Sequence, residues 1–238
     1  MNLKTELNQT SPDWRLLYRL GAIGAWFSAL LIPVAIVSHL LWPPPPWTPG
    51  AASDWFSYIG SNPLAGLLNL DLLLEIGLIL SVPLYIALFL VLYKTNRSLT
   101  VLATATALLG IVLHILSNAA WEMLLLSNAF ADAGTDEQRA VLLAAGEASL
   151  SAYYGMVFQV SYILGYLTYI LIGYVMLYHR FFGKPAAYLA IVTGIAGFGF
   201  YLPEIGTIIS VLVVLLVGIW NVIVGWKLFQ FNRFPRQK

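Results

Sequence analysis

Six stretches of the chain run almost without charge, at roughly 17–42, 64–93, 99–130, 153–179, 185–203 and 204–230. A water-soluble fold could not hide as much uninterrupted apolar surface as these stretches carry. Their lengths match or exceed the ~20 residues a helix needs to cross a ~30 Å hydrocarbon layer, whereas barrel strands are shorter and alternate. The pattern predicts an all-α integral membrane protein, a six-transmembrane-helix bundle forming a single membrane domain over 1–238. Pro63 and Pro185 stand where a first helical turn tolerates proline, while Pro33 and Pro83 fall inside spans and should kink them. The fifth span carries Gly194, Gly197 and Gly199, small residues that let helices approach closely in lipid. The first run is too long for a signal-peptide core and is followed by Pro43-Pro44-Pro45-Pro46 rather than a small-residue cleavage site, so it reads as a retained helix.

Positive charge orients the spans. Lys4, Arg15, Arg19, Lys94, Arg97, Arg180, Lys184, Lys227, Arg233, Arg236 and Lys238 fall on one side of the predicted helices and Arg139 alone on the other. The positive-inside rule assigns the rich side to the cytoplasm, with both termini there, in a bacterial cytoplasmic membrane. The alternation also supports the count of six, since a missed span would scramble it.

Composition narrows the chemistry. Of 238 residues 60% are hydrophobic and 10% charged, against roughly 25% charged in soluble domains. A net charge of +1 lacks the concentrated basic face that nucleic acid requires. The absence of cysteine excludes disulfides, Fe–S clusters, thiolate zinc and covalently attached haem. The lipid bilayer is the one partner the composition names; protein partners are unknown.

The two longer outer loops differ. Residues 43–62 join the proline run, expected as polyproline II, to interfacial aromatics in Asp54-Trp55-Phe56-Ser57-Tyr58-Ile59. Residues 131–152 open on Thr135-Asp136-Glu137-Gln138, a capping pattern leading into a short helix that carries Glu147. Together they are expected to form a partial lid on the outer surface. Leu92-Tyr93-Lys94 and Leu177-Tyr178-His179 each close a long helix before a basic loop, which suggests a parallel duplication of helices two and three in helices four and five.

Ionisable groups within a span cost about 2.5–3.5 kcal/mol on insertion scales and need a reason. Helix two carries Asp71 and Glu75; helix three carries His114, Asn118 and Glu122; helix four carries Gln159. Spacings of four put each set on one helix face. At ~1.5 Å per residue, Asp71 falls ~10 Å below the outer edge, Glu75 ~16 Å, His114 ~8 Å and Gln159 ~9 Å, so the groups converge on an acidic pocket that opens outward. Asn118, Glu122 and Glu204 lie above it, and Trp121 could line it.

Three readings fit: a binding or translocation site for a small molecule or cation, a metal-dependent membrane hydrolase, or a hydrogen-bonded packing cluster such as an Asp71–His114 pair. A metal, if held, would use Asp71, Glu75 and His114, and the oxygen-rich set suits a divalent cation such as Ca²⁺, Mg²⁺ or Mn²⁺. No paired-histidine zinc motif occurs, and no cofactor is predicted. His39 and His179 lie near opposite ends of their helices, which argues against bis-histidine haem, and Lys227 sits too near the inner end for a retinal Schiff base. No catalytic residue can be named, and a non-enzymatic role fits better.

The sequence resembles the bacterial membrane family described as domain of unknown function 4386. The residues that carry the likeness are Arg19-Leu20-Gly21 at the start of helix one, Leu84-Tyr85 with the Leu92-Tyr93 helix end and its basic loop, and the closing Ile219-Trp220 and Gly225-Trp226-Lys227-Leu228, over about residues 15–232. The resemblance implies a six-helix inner-membrane protein without an assigned activity, and it carries over no functional residues. Ceramidase-like hydrolases offer a poorer match, because the paired histidines of their last helix are missing here.

Overall fold

The computed structural model describes residues 14–233, and every regular element among them is helical. In chain order these are α1 (Arg15–Leu41), α2 (Ala52–Ser61), α3 (Pro63–Asn69), α4 (Leu72–Leu92), α5 (Arg97–Ser117), α6 (Ala120–Ala131), α7 (Asp136–Tyr153), α8 (Met156–Leu177), α9 (Gly183–Gly197), a 3₁₀ turn at Phe198–Tyr201, and α10 (Gly206–Arg233). Lys4, Arg236 and Lys238, counted above towards orientation, lie outside the described residues. Five stretches are long and apolar enough to cross a membrane: Arg15–Leu41, Leu72–Leu92, Arg97–Ala131, Asp136–Leu177 and Gly206–Gln230. The sixth expected span, α9, is shorter at 15 residues and runs directly into the 3₁₀ turn.

The distribution of side chains is that of a membrane protein. Along α1 the small residues Ala22 and Ala25 are fully buried while Leu16, Leu20, Ile23, Phe27 and Leu30 are exposed. Along α10 Ile208, Val211, Leu215, Ile219 and Val222 are exposed in the same way. Faces of that size would drive aggregation in water and are at home in hydrocarbon.

The chain divides into two compact units. Of the described residues, one holds those up to Ile32, Ile76–Ile111 and those from Tyr162 onward. Its core is a layer of small and medium residues: Ala22 and Ala25 of α1, Leu84, Ala87 and Leu88 of α4, Ala103 and Ala107 of α5, Val175 and Met176 of α8, Ala187 and Ala190 of α9, and Trp220 and Val224 of α10. Close approach is enforced where glycine faces backbone or ring. A Cβ on Gly24 would come within 2.0 Å of the Leu80 carbonyl oxygen, and one on Gly197 within 2.1 Å of the Tyr166 ring. Gly194 and Gly199 also pack tightly, against Tyr166 and Ile209, so the glycines of the fifth span act as contact points, as expected. Pro33 and Pro83 lie inside α1 and α4 as read.

The other unit holds Pro33–Glu75 and Val112–Ser161, and here the sequence reading needs correcting. Residues 43–62 are not a strap with interfacial aromatics. The prolines are followed by α2, which buries Trp55, Phe56 and Ile59 in a core shared with Leu70, Ala120, Met123, Leu150 and Tyr153. Residues 131–152 do not carry a short helix in a loop, because α7 runs for 18 residues. Its capping is as expected: the Thr135 hydroxyl accepts from the Gln138 N–H at 3.2 Å, and Gln138 Oε1 accepts from the Gly134 N–H at 3.0 Å. Glu147 then supplies a cap to a different helix, its two carboxylate oxygens accepting from Gly50 N (2.9 Å) and Ala52 N (2.7 Å) at the start of α2. Gly146 beside it lets α7 lie against Phe56, whose Cζ would be 2.6 Å from an added Cβ.

Candidate functional site

Two helices that the apolar pattern makes continuous are interrupted, and a third starts later than read, leaving three breaks between helices. The run 64–93 breaks at Leu70 and Asp71, between α3 and α4; the run 99–130 breaks at Asn118 and Ala119, between α5 and α6; and 153–179 does not begin at Tyr153, which ends α7, but after Tyr154 and Gly155. Apolarity reports burial and says little about where a backbone bends, so these breaks are invisible to it. Asp71 takes a left-handed backbone conformation (φ +63°), one that a short polar side chain tolerates better than most.

Side chains tie the three breaks together. Asn118 Nδ2 donates to the Leu70 carbonyl at 2.8 Å while its Oδ1 accepts from the Ala120 N–H at 2.8 Å. One amide thus satisfies an orphan carbonyl of the first break and an orphan donor at the start of α6. The Tyr153 hydroxyl donates to Asp71 Oδ2, linking the third break to the first. Gln159 Nε2 donates to the Tyr154 carbonyl at 3.2 Å. Trp47, delivered by the proline run, stacks on Tyr153 (centroids 5.1 Å apart, 10° between planes) and meets Tyr154 edge-on at 4.7 Å.

One turn beyond Asp71, Glu75 is buried, with 7% of its surface exposed. Its Oε1 lies 3.5 Å from His114 Nε2, a contact longer than a normal hydrogen bond. On the far side of the imidazole, Nδ1 meets the Ser161 hydroxyl at 3.2 Å, and the ring packs on Phe158 at 5.6 Å. Which nitrogen carries the proton is a choice of tautomer, and a shift of tautomer would move hydrogen-bond donation between Ser161 and Glu75.

The structure therefore brings Asp71, Glu75, His114 and Asn118 into one region with Gln159 at its edge. It does not bring in Glu122, which is exposed on α6, nor Trp121, which is 58% exposed beside it. Glu204 sits exposed with a left-handed backbone in the turn before α10. Asp71 pairs with Tyr153, not with His114 as a simple packing pair would have it. Among the described residues no three His, Asp or Glu side chains converge as a metal shell would require. Tyr153, Ser161 and Trp47 were missed by sequence reasoning. The aromatic residues read as interfacial belt, and only Gly155 and the Asn/Asp residues themselves hinted at breaks.

No curated protein and no solved structure matches the chain. A family model does, over residues 16–225, and its match covers the spans, the breaks and every residue of the cluster: the chain belongs to the family described as domain of unknown function (DUF4386).

Proposed function

We propose that the protein is a six-span protein of a bacterial cytoplasmic membrane, both termini inside, whose outward-facing acidic cluster of Asp71, Glu75 and His114 binds or transports a small molecule or cation. The convergence of three helix breaks on the buried Glu75–His114 contact carries this reading. An ionisable pair enclosed where helices end against one another is expensive unless it is used, and such groups within a span mark ion and proton sites.

Counting along the helices fits spans of one hydrocarbon thickness and changes the depth. From their ends at the basic loops to the breaks, α4 and α5 have 21 residues and α8 has 22. At ~1.5 Å per residue each is about 32 Å long, close to one hydrocarbon thickness. The breaks then fall at the outer boundary and Glu75 about 5 Å inside it, shallower than the ~16 Å obtained when helix two is taken as unbroken. Helix α9 with its 3₁₀ turn reaches about 30 Å at the rises of the two helix types, enough for the sixth span.

A packing role is the second reading, favoured by the Asn118 and Tyr153 bonds that tie the breaks to one another. Thermal unfolding of the detergent-purified protein against monovalent and divalent cations, lipids and small amphiphiles separates the two. A ligand at a hundred times its Kd stabilises by about 2.7 kcal/mol. A shift that disappears in Asp71→Asn supports binding; no shift across the panel, with Asp71→Asn and Glu75→Gln both unstable, supports packing.

A further inference from the structure

The cluster holds a carboxyl group whose surroundings are poor in donors. Both oxygens of Glu75 are shut off from solvent, and neither has a hydrogen-bond partner of normal geometry. The groups that face it can be named element by element. From α5 comes His114, whose contact is Glu75's only ion-pair contact among the described residues. From the break before α4 comes Asp71, a like charge that acts on Glu75. Behind Asp71 stand Tyr153 and Tyr154 of the third break and His39 of α1. The Asn118 amide is the one side-chain donor besides His114 that acts on Glu75, and its Nδ2 also donates to the Leu70 carbonyl. No lysine or arginine is in this set. An ionised carboxylate in that setting would be buried, short of donors and repelled by its neighbour, and a neutral carboxyl avoids all three costs. The same side chains do not converge as a metal shell, whereas a proton needs only the carboxyl and one nitrogen.

We propose that Glu75 is a proton-carrying site: its carboxyl holds one exchangeable proton, shared with the His114 imidazole, so that the proton is the cation this cluster carries. The proposal rests on the binding reading above and names its ligand. His114 is suited to the sharing because its second nitrogen faces the Ser161 hydroxyl, which can donate or accept as the tautomer changes.

The test uses dicyclohexylcarbodiimide on the full chain in detergent. A neutral carboxyl adds across one C=N bond of the reagent. Its proton goes to nitrogen and its oxygen to the central carbon, and the acyl group then migrates to nitrogen, leaving a stable N-acylurea with no oxidant or reductant involved. Peptide mass spectrometry is expected to find the adduct at Glu75, with labelling that slows as pH rises. Infrared difference spectra across the same pH range should show a neutral-carboxyl carbonyl band that is missing in Glu75→Gln. In His114→Gln the pH at which the band vanishes should move, an effect that a purely structural histidine would not have.

Absence of the band from acid to alkaline pH, in protein that is folded by circular dichroism, overturns the proposal, and an unmoved pH profile in His114→Gln overturns the sharing. The two readings fail separately. A band without any thermal shift leaves Glu75 a proton site and ends binding of other ligands, while a ligand shift without the band ends this proposal alone.

Discussion

At the scale of single residues, the structure turns on a few side chains that satisfy backbone groups left open by helix ends. Glu147 is the clearest, since both of its oxygens accept from N–H groups at the start of α2. Side-chain caps of this kind contribute about 1 kcal/mol, within a range of roughly 0.5–2. Glu147→Ala should therefore lower stability by about that amount in thermal or denaturant unfolding, and Glu147→Gln by less, because the amide keeps one acceptor. Equal stability of all three proteins would remove the cap from the account. Asp71 makes a sharper case, because its left-handed backbone limits what can replace it. Asp71→Asn should fold like the parent, while Asp71→Val should lose about 1–3 kcal/mol through strain. Asp71, Glu75, His114 and Asn118 could be picked from the sequence because a polar group in an apolar run stands out. Tyr153 could not, since an aromatic near a span boundary is explained by the interfacial belt before any hydroxyl partner is considered. Glu122 failed in the opposite direction. The spacing of four that aligns it with Asn118 holds only along an unbroken helix, and the break at Asn118–Ala119 turns it outward.

At the scale of elements, close contact between helices is set by glycine rather than by large side chains. Gly197 faces the Tyr166 ring so tightly that any side chain must displace it. Gly197→Val is expected to disrupt the packing of α9 on α8, seen as loss of the monodisperse folded peak in size-exclusion chromatography, whereas Gly165→Ala should be neutral because nothing lies within 4 Å of its added Cβ. Two equally tolerant variants would mean that α9 can shift to accommodate the side chain. The long helices were legible because length and apolarity identify a span without knowledge of its neighbours. Of the shorter helices, α7 was expected only as a short helix, α3 and α6 were read as parts of longer spans, and α2 was not read as a helix, because these residues bury against one another. Trp55 and Phe56 look interfacial until α7 is placed beside them, an approach that Gly146 permits.

At the scale of the whole molecule, the repeat expected from the two helix ends can be laid on the helix boundaries. At the offset that lays Leu92-Tyr93 on Leu177-Tyr178, Leu70 falls on Gly155, and Asn118 falls on Pro203 within the irregular segment before α10. A parallel duplication would place helix ends at corresponding positions in this way. That arrangement and the positive-inside count make the same demand on topology, and the cysteine-free sequence allows a clean test. Single cysteines at Ser98, in the first turn of α5, and at Asp136, at the start of α7, should differ in intact cells. A membrane-impermeant maleimide should label the second, and should reach the first only after the membrane is permeabilised. Substitution at Arg139, the one basic residue that the positive-inside count assigns to the outer side, should behave like Asp136. Labelling of Ser98 from outside would invert the protein and turn the acidic cluster towards the cytoplasm. Labelling of both from outside would mean that the segment between them crosses the membrane an even number of times, and the duplication would go with the span count.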